Sequence, residues 1–140
     1  MNLAGMVAEY RIRYPGKVFI CDFDSAGWAW VCAGGSLPRL PAATDVSLLG
    51  AIPRMRPWAG GDGLERWALR EAGVQYLVFV GTRGPTKLDL SEERGIFAVH
   101  SVQLQTGEVF PVGKQLAAGQ PVDLASFANA GQTVLWLVKE

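Results

Sequence analysis

From Arg66 to Glu108 the chain reads as short apolar segments of strand length, each closed by a Gly-containing turn. Trp67 and Leu69 alternate with Arg66, Ala68 and Arg70, the pattern of a half-buried strand. After Ala72-Gly73, residues 74–80 place Val74, Tyr76, Val78 and Val80 on one face, with Leu77 and Phe79 on the other. Apolar side chains on both faces predict a strand covered on both sides. Thr86, Leu88 and Leu90 then alternate with Lys87 and Asp89. Residues 96–104 form a longer segment in which Phe97 and Val99 oppose Ile96, Ala98, His100, Val102 and Leu104, and a β-bulge near Ser101 is expected there. Beyond the Thr106-Gly107 turn, residues 109–112, 122–124 and 133–138 supply further strands, the last apolar on both faces and so central. Six or seven short strands in about 75 residues predict an antiparallel β-sandwich.

The first sixty residues have a different period. Leu3, Met6, Val7, Tyr10 and Tyr14 recur at helical spacing, with Asn2 as N-cap and Pro15-Gly16 as the stop. Residues 18–21 form a short apolar run of strand type. Residues 26–33, rich in Trp and Ala, take no clear assignment before Gly34-Gly35 ends them. Two prolines in residues 37–41 predict extended chain or loop. Thr44 or Asp45 then caps a helix with Val46, Leu49 and Ile52 on one face, closed by Pro53 and Pro57. The stretch Trp58-Ala59-Gly60-Gly61-Asp62-Gly63 marks the change of pattern. The fold class expected is therefore mainly β with an α/β N-terminal part. Residues 1–60 form the α/β segment and residues 64–140 the sandwich module, joined at a flexible hinge. An isolated βα segment cannot close its own hydrogen-bond ladder, so its apolar surface is expected to pack on the Leu77/Phe79 face of the sandwich, with self-association into a homodimer as the alternative.

At 140 residues the chain can bury roughly two thirds of its unfolded surface and needs no disulfide or metal staple. Thirteen basic and thirteen acidic residues are scattered along it and the net charge is zero. That balance lacks the footprint of a nucleic-acid binder or a polybasic membrane anchor. Charged residues are 19% of the chain, against roughly 25% in typical soluble domains, which leaves room for an apolar patch covered by a partner. Cys21 and Cys32 make neither a disulfide framework nor a metal motif and read as buried small hydrophobes. No cofactor is implied. No signal peptide and no membrane span is visible in the sequence as written, so the expectation is either a cytoplasmic location or a piece of a longer chain whose signal lies upstream.

The ordered set Ala72-Gly73, Tyr76-Leu77-Val78-Phe79, Leu88-Asp89-Leu90-Ser91, Gly95-Ile96-Phe97-Ala98-Val99, Thr106-Gly107-Glu108 and Val134-Leu135-Trp136-Leu137 carries a resemblance. It resembles the C-terminal β-sandwich, of the collagen-binding type, that follows the TIM barrel of apiosidase-like glycoside hydrolases. The match covers nearly all of residues 64–138. Where that family has an aromatic pair and an Asp-Pro-Arg turn, this chain has Ser101-Val102-Gln103-Leu104-Gln105. More weakly, residues 1–60 resemble the last units of the preceding barrel, about a quarter of it. The resemblance implies a non-catalytic accessory module that supports a hydrolase or binds a polymer, carbohydrate or matrix protein. Its alternative is the C-terminal fragment of a glycoside hydrolase whose remaining barrel comes from another chain. A self-contained interaction protein is the third class. A polysaccharide or a barrel domain is the partner these readings imply.

Barrel enzymes carry their catalytic groups at the C-terminal ends of strands. Asp22 and Asp24 follow the segment 18–21, which makes them the catalytic candidates. Glycoside hydrolysis needs two carboxyl groups flanking one bond, about 5 Å apart for retention or further for inversion. The partner acid implied by the resemblance comes from an earlier strand, and the plain reading of Asp22 and Asp24 is as solvated turn or capping carboxylates. Trp28, Trp30 and Trp58 are the candidates for substrate binding, because sugar sites use aromatic faces; Trp67 and Trp136 read as core. His100, the single histidine, has no recognisable nucleophile for a triad and reads as a sheet histidine. Gly60-Gly61-Asp62-Gly63 lacks the Lys-Ser/Thr ending of a phosphate loop.

Overall fold

The computed structural model describes residues 2–20, 27–36, 38–58, 66–81, 87–127 and 131–140. Cys21, Asp22, Asp24 and the Gly60-Gly61-Asp62-Gly63 boundary lie outside the described residues. Among those described, the chain is mainly antiparallel β, with eight strands in two sheets. Its α-helices all precede the boundary; after it a single 3-10 turn occurs, at Leu124–Ser126.

Six strands form the large sheet, in the order β1 (Arg56–Trp58), β2 (Arg66–Glu71), β3 (Gln75–Val80), β8 (Thr133–Lys139), β5 (Ile96–Val102) and β6 (Val109–Ala117). The small sheet pairs β4 (Lys87–Asp89) with β7 (Pro121–Asp123). β3 and β8 lie side by side at the centre, paired from Gln75↔Val138 to Val80↔Thr133. Every residue of β3 is buried, as its two apolar faces require. Tyr76, Val78 and Val80 meet Phe97, Val99, Leu135 and Leu137 on one side, where Leu88, Leu90 and Leu124 close the sandwich from the small sheet. Leu77 and Phe79 face away and join a second core with Trp28, Val31, Cys32, Leu48, Ala51 and Met55 of the N-terminal segment. The expected packing of that segment on the Leu77/Phe79 face is thus present.

The apparent conflict of faces in β5 has a different origin from the bulge expected near Ser101. β5 pairs with β8 in unbroken register from Phe97↔Lys139 to Val102↔Val134. The irregularity is in β6, where the register jumps from Ala98↔Gln115 to His100↔Pro111. Three β6 residues therefore lie opposite Val99, among them Gly113 at φ 74°. β5 itself alternates simply, with Phe97 and Val99 in one core and Val102 in the other.

In the N-terminal segment the expected helices exist but present other faces. α1 (Leu3–Arg13) is capped by Asn2, whose side chain accepts the Gly5 N–H. It buries Ala4 and Val7 against Trp30 and Ala33, while Met6, Tyr10 and Tyr14 of the expected apolar face are exposed. α2 (Trp28–Cys32) occupies the stretch that period alone left unassigned. It stops where Gly34 adopts φ 91° and where a side chain on Gly35 would collide with the Trp30 indole. α3 (Val46–Ala51) is capped by Asp45, which accepts the N–H groups of Ser47 and Leu48. Its buried residues are Leu48 and Ala51, and Val46 and Leu49 are exposed. Of the expected strand at 18–21, the described residues show one parallel bridge, Ile20↔Ser36, with Val18 and Ile20 exposed at 69% and 62%. Pro57, beyond the end of the helix as expected, lies in β1 at the edge of the large sheet, where a missing N–H can face outward.

Two polar contacts fasten the segment to the β5–β6 turn. The Trp28 indole donates to the Leu104 carbonyl at 3.0 Å, and the Asp45 N–H donates to the Gly107 carbonyl at 3.0 Å. Gly107, at φ 77°, lies so close to Thr44 that a side chain there would overlap it. No helix of the described residues is long and apolar enough to cross a membrane.

Candidate functional site

The large sheet brings polar and aromatic side chains together at two places, one on each face. The first is at the β1 edge, on the face that the small sheet closes further in. Trp58 ends β1 opposite Ala68, and Arg70 on β2 lies opposite Arg56 and Tyr76. The Arg70 guanidinium sits 5.0 Å from the centroid of the half-buried Trp58 ring, as a cation over an aromatic face. Tyr76 packs 5.4 Å from Trp58 on one side and edge-on to Phe97 at 5.6 Å on the other. Its hydroxyl donates to the Glu93 carboxylate, which also accepts the Gly73 N–H. Burial pushes the Tyr76 phenol up, and the bond to Glu93 and that carboxylate's charge push it further, against the smaller pull of Arg70. Tyr76 is therefore a neutral donor, and Glu93 the charged acceptor it holds.

The second place is on the opposite face, across β2, β3, β8 and β5. Glu71 meets Arg54 at 3.4 Å and accepts from the Gln75 amide at 2.6 Å. Gln75 is buried and in turn accepts the Trp136 indole N–H at 3.0 Å. Trp136 lies 5.7 Å from His100, whose Nδ1 is 3.3 Å from the Trp136 carbonyl. A carbonyl can only accept, so this contact requires the tautomer with its proton on Nδ1, which leaves Nε2 as an acceptor. Trp136 and His100 are both half-buried. From the sequence Trp136 reads as core and His100 as a sheet histidine, and Trp136 does pack partly against the core shared with the N-terminal segment. The alternation of β8, with Val134 and Trp136 on the face opposite Leu135 and Leu137, was the available signal.

The sequence-nominated residues are scattered. Trp58 belongs to the first cluster. Trp28 and Trp30 are buried in α2, with their indole N–H groups donated to the Leu104 and Ser36 carbonyls at 3.0 and 3.1 Å. A helix splays the two rings, so Trp28 joins the core beneath the sheet and Trp30 packs against α1. Asp22 and Asp24 lie outside the described residues.

A cleft of about 560 Å³ separates the α1–α2 region from β1, lined by Arg11, Pro15, Gly34, Ile52, Pro53 and Arg56 among others. Arg11 is committed there: it donates to the carbonyls of Gly34 and Lys17 at 2.7 Å each and lies over the Phe19 ring. Among the described residues, no group of three His, Cys, Asp or Glu side chains is placed to hold a metal ion. Several carboxylates are spent on structure: Asp45 caps α3, Asp89 holds Ser91 and is lowered by that residue's hydroxyl and N–H, and Asp123 caps the 3-10 turn.

No protein-family model matches the chain, and no curated protein matches it. Among solved structures, one described as "Glycoside hydrolase" is similar to 62% of this chain, with a TM-score of 0.46 and 18% sequence identity. The matching region spans 21% of that protein's chain.

Proposed function

We propose that this chain is a non-catalytic accessory β-sandwich module of the type attached to glycoside hydrolases, and that it holds a polymer, carbohydrate or matrix protein. The reading rests on the ordered motifs between Ala72 and Leu137 and on one observation, the Trp58 cluster. There an indole at the open edge of the sheet is held by Arg70 and Tyr76 while remaining half-exposed. A ring fixed in one orientation loses little entropy when a ligand lies against it, and a flanking guanidinium offers donors to hydroxyl or carbonyl groups. Retention on a panel of insoluble polysaccharides and fibrillar matrix protein tests the reading. The intact chain should be retained by one of the two classes, and Trp58→Ala should weaken retention about tenfold, equivalent to roughly 1.4 kcal/mol. A chain that ignores the whole panel contradicts the proposal. Turnover of aryl glycosides that disappears in Asp22→Asn or Asp24→Asn contradicts its non-catalytic part.

The bridge Ile20↔Ser36 supports a second reading, a hydrolase fragment completed by another chain. It is a parallel contact whose Val18 and Ile20 side chains are mostly exposed, and parallel strands in barrels are covered on both faces. Adding a separately produced barrel polypeptide should then create glycosidase activity that neither chain has alone. No gain on mixing removes this reading.

A further inference from the structure

We infer that the open half of the large sheet, centred on Trp136 and His100, is a platform for a neutral polysaccharide chain. This rests on the accessory-module reading and assigns it a ligand class and a second surface, away from Trp58. The N-terminal segment covers only part of its face of the sheet. Leu77, Phe79, Val102 and Val134 lie beneath it, with Trp136 packed partly against them at the margin. Further along the same strands Ala98, His100, Trp136 and Val138 are half-exposed, and Pro111 and Gln115 of β6 are exposed beside them.

Three features of this surface select the ligand. The first is charge: the six side chains include no Lys, Arg, Asp or Glu, and the carboxylates at either end of the row are engaged, Glu71 with Arg54 and Gln75, and Glu140 with the Gln115 amide. Carboxylates at both ends with no lysine or arginine between them disfavour an acidic polymer, and the uncharged stretch between them suits a neutral one. The second is the indole. The bond from Trp136 to Gln75, itself fixed by Glu71, holds the ring in place, so a sugar ring can stack on it without first ordering it. The third is the acceptor. With Nδ1 on the Trp136 carbonyl, His100 Nε2 is available to a hydroxyl. Gln115 donates its amide N–H to Glu140 at 2.6 Å, and an amide bound that way retains its oxygen as a further acceptor.

The six side chains lie on β8, β5 and β6, so the row crosses two strand spacings, roughly 10 Å at about 4.8 Å each. A surface spread over three strands fits an extended chain better than a single terminal sugar, which argues for a polysaccharide and against the tip of a glycoprotein glycan.

The test is an NMR titration of the intact chain labelled with ¹⁵N at tryptophan, with the Trp136 indole assigned through its contact with Gln75. Neutral gluco-, xylo- and manno-oligosaccharides form one arm, oligogalacturonate a second and a triple-helical collagen peptide a third. The Trp136 indole should shift with at least one neutral oligosaccharide, and Trp136→Phe and His100→Ala should each weaken that binding about tenfold or more. The titration of the unsubstituted chain decides the matter even if Trp136→Phe fails to fold. Shifts confined to Trp58 overturn this platform and leave the accessory-module reading standing. Shifts at Trp136 only with oligogalacturonate or collagen overturn the neutral-glycan assignment. No response to any arm overturns both.

Discussion

The two parts of this chain bury apolar residues by different rules. In the sandwich, a residue's place in the alternation decides its fate: Leu77 and Phe79 go to one core, Tyr76 and Val78 to the other. In the N-terminal segment the same kind of residue is buried or exposed according to what lies across from it. Leu48 is fully buried, whereas Val46, two residues earlier in the same helix, is 82% exposed. A strand inside a sheet has neighbours on both edges and a layer on each face, so its environment is set at every position. A helix of five or six residues has no stability of its own and takes its buried face from the surface it meets.

Truncations on the two sides of this comparison should differ most. Leu77→Ala removes atoms shared between the sheet and the N-terminal segment and should cost about 2–5 kcal/mol. Val18→Ala and Ile20→Ala remove exposed atoms and should stay within about 0.5 kcal/mol. Urea denaturation of the three variants checks this. A large loss from Ile20→Ala would show that its bridge is covered in solution, and would favour self-association through that surface.

What could be read in advance follows the same line. The strands, the central place of β8 and the two-sided burial of β3 follow from period 2, because one slip would turn every side chain over. Helix starts were legible where a side chain makes the cap, as at Asn2 and Asp45. The phase of α1 and α3 was not, since Ala4 and Ala51 are buried but contribute little to any apolar pattern. α2 was hidden because Trp and Ala suit either state, and its identity comes from Trp28 reaching Leu104 across 76 positions of sequence. The bulge was misplaced because a glycine in the partner strand, Gly113, carries it. Of the candidate site, Trp58 was visible from the boundary beside it. The Gln75–Trp136–His100 row was not, because it joins three strands far apart in sequence.

A smaller effect separates the cores by pH. Tyr76 serves the sandwich core and Cys32 the core shared with the segment, and burial raises both above their ordinary values. A raised value means stability that is complete below the unfolded pKa and is lost as pH climbs toward the folded one. Between about pH 8.5 and 11, spanning the ordinary thiol and phenol values, the protein should lose stability progressively. Tyr76→Phe should flatten the part above about pH 10, and Cys32→Ala the part that begins nearer 8.5. Identical pH profiles for the parent and both variants would show that neither group is buried in the folded state as described.

The central claim is that the N-terminal segment and the sandwich fold as one unit, through the core that Cys32 shares with Leu77 and Phe79. Cys32 is buried and its thiol is free, which makes it a direct reporter once Cys21 is replaced by serine. Thiol labelling of the Cys21→Ser chain should be followed across a urea series, beside circular dichroism of the sheet. The account predicts that Cys32 becomes reactive only along the global unfolding transition, with the two curves superimposed. Labelling of Cys32 at urea concentrations where the sheet signal is still fully native would mean that the segment opens independently, and would contradict the claim.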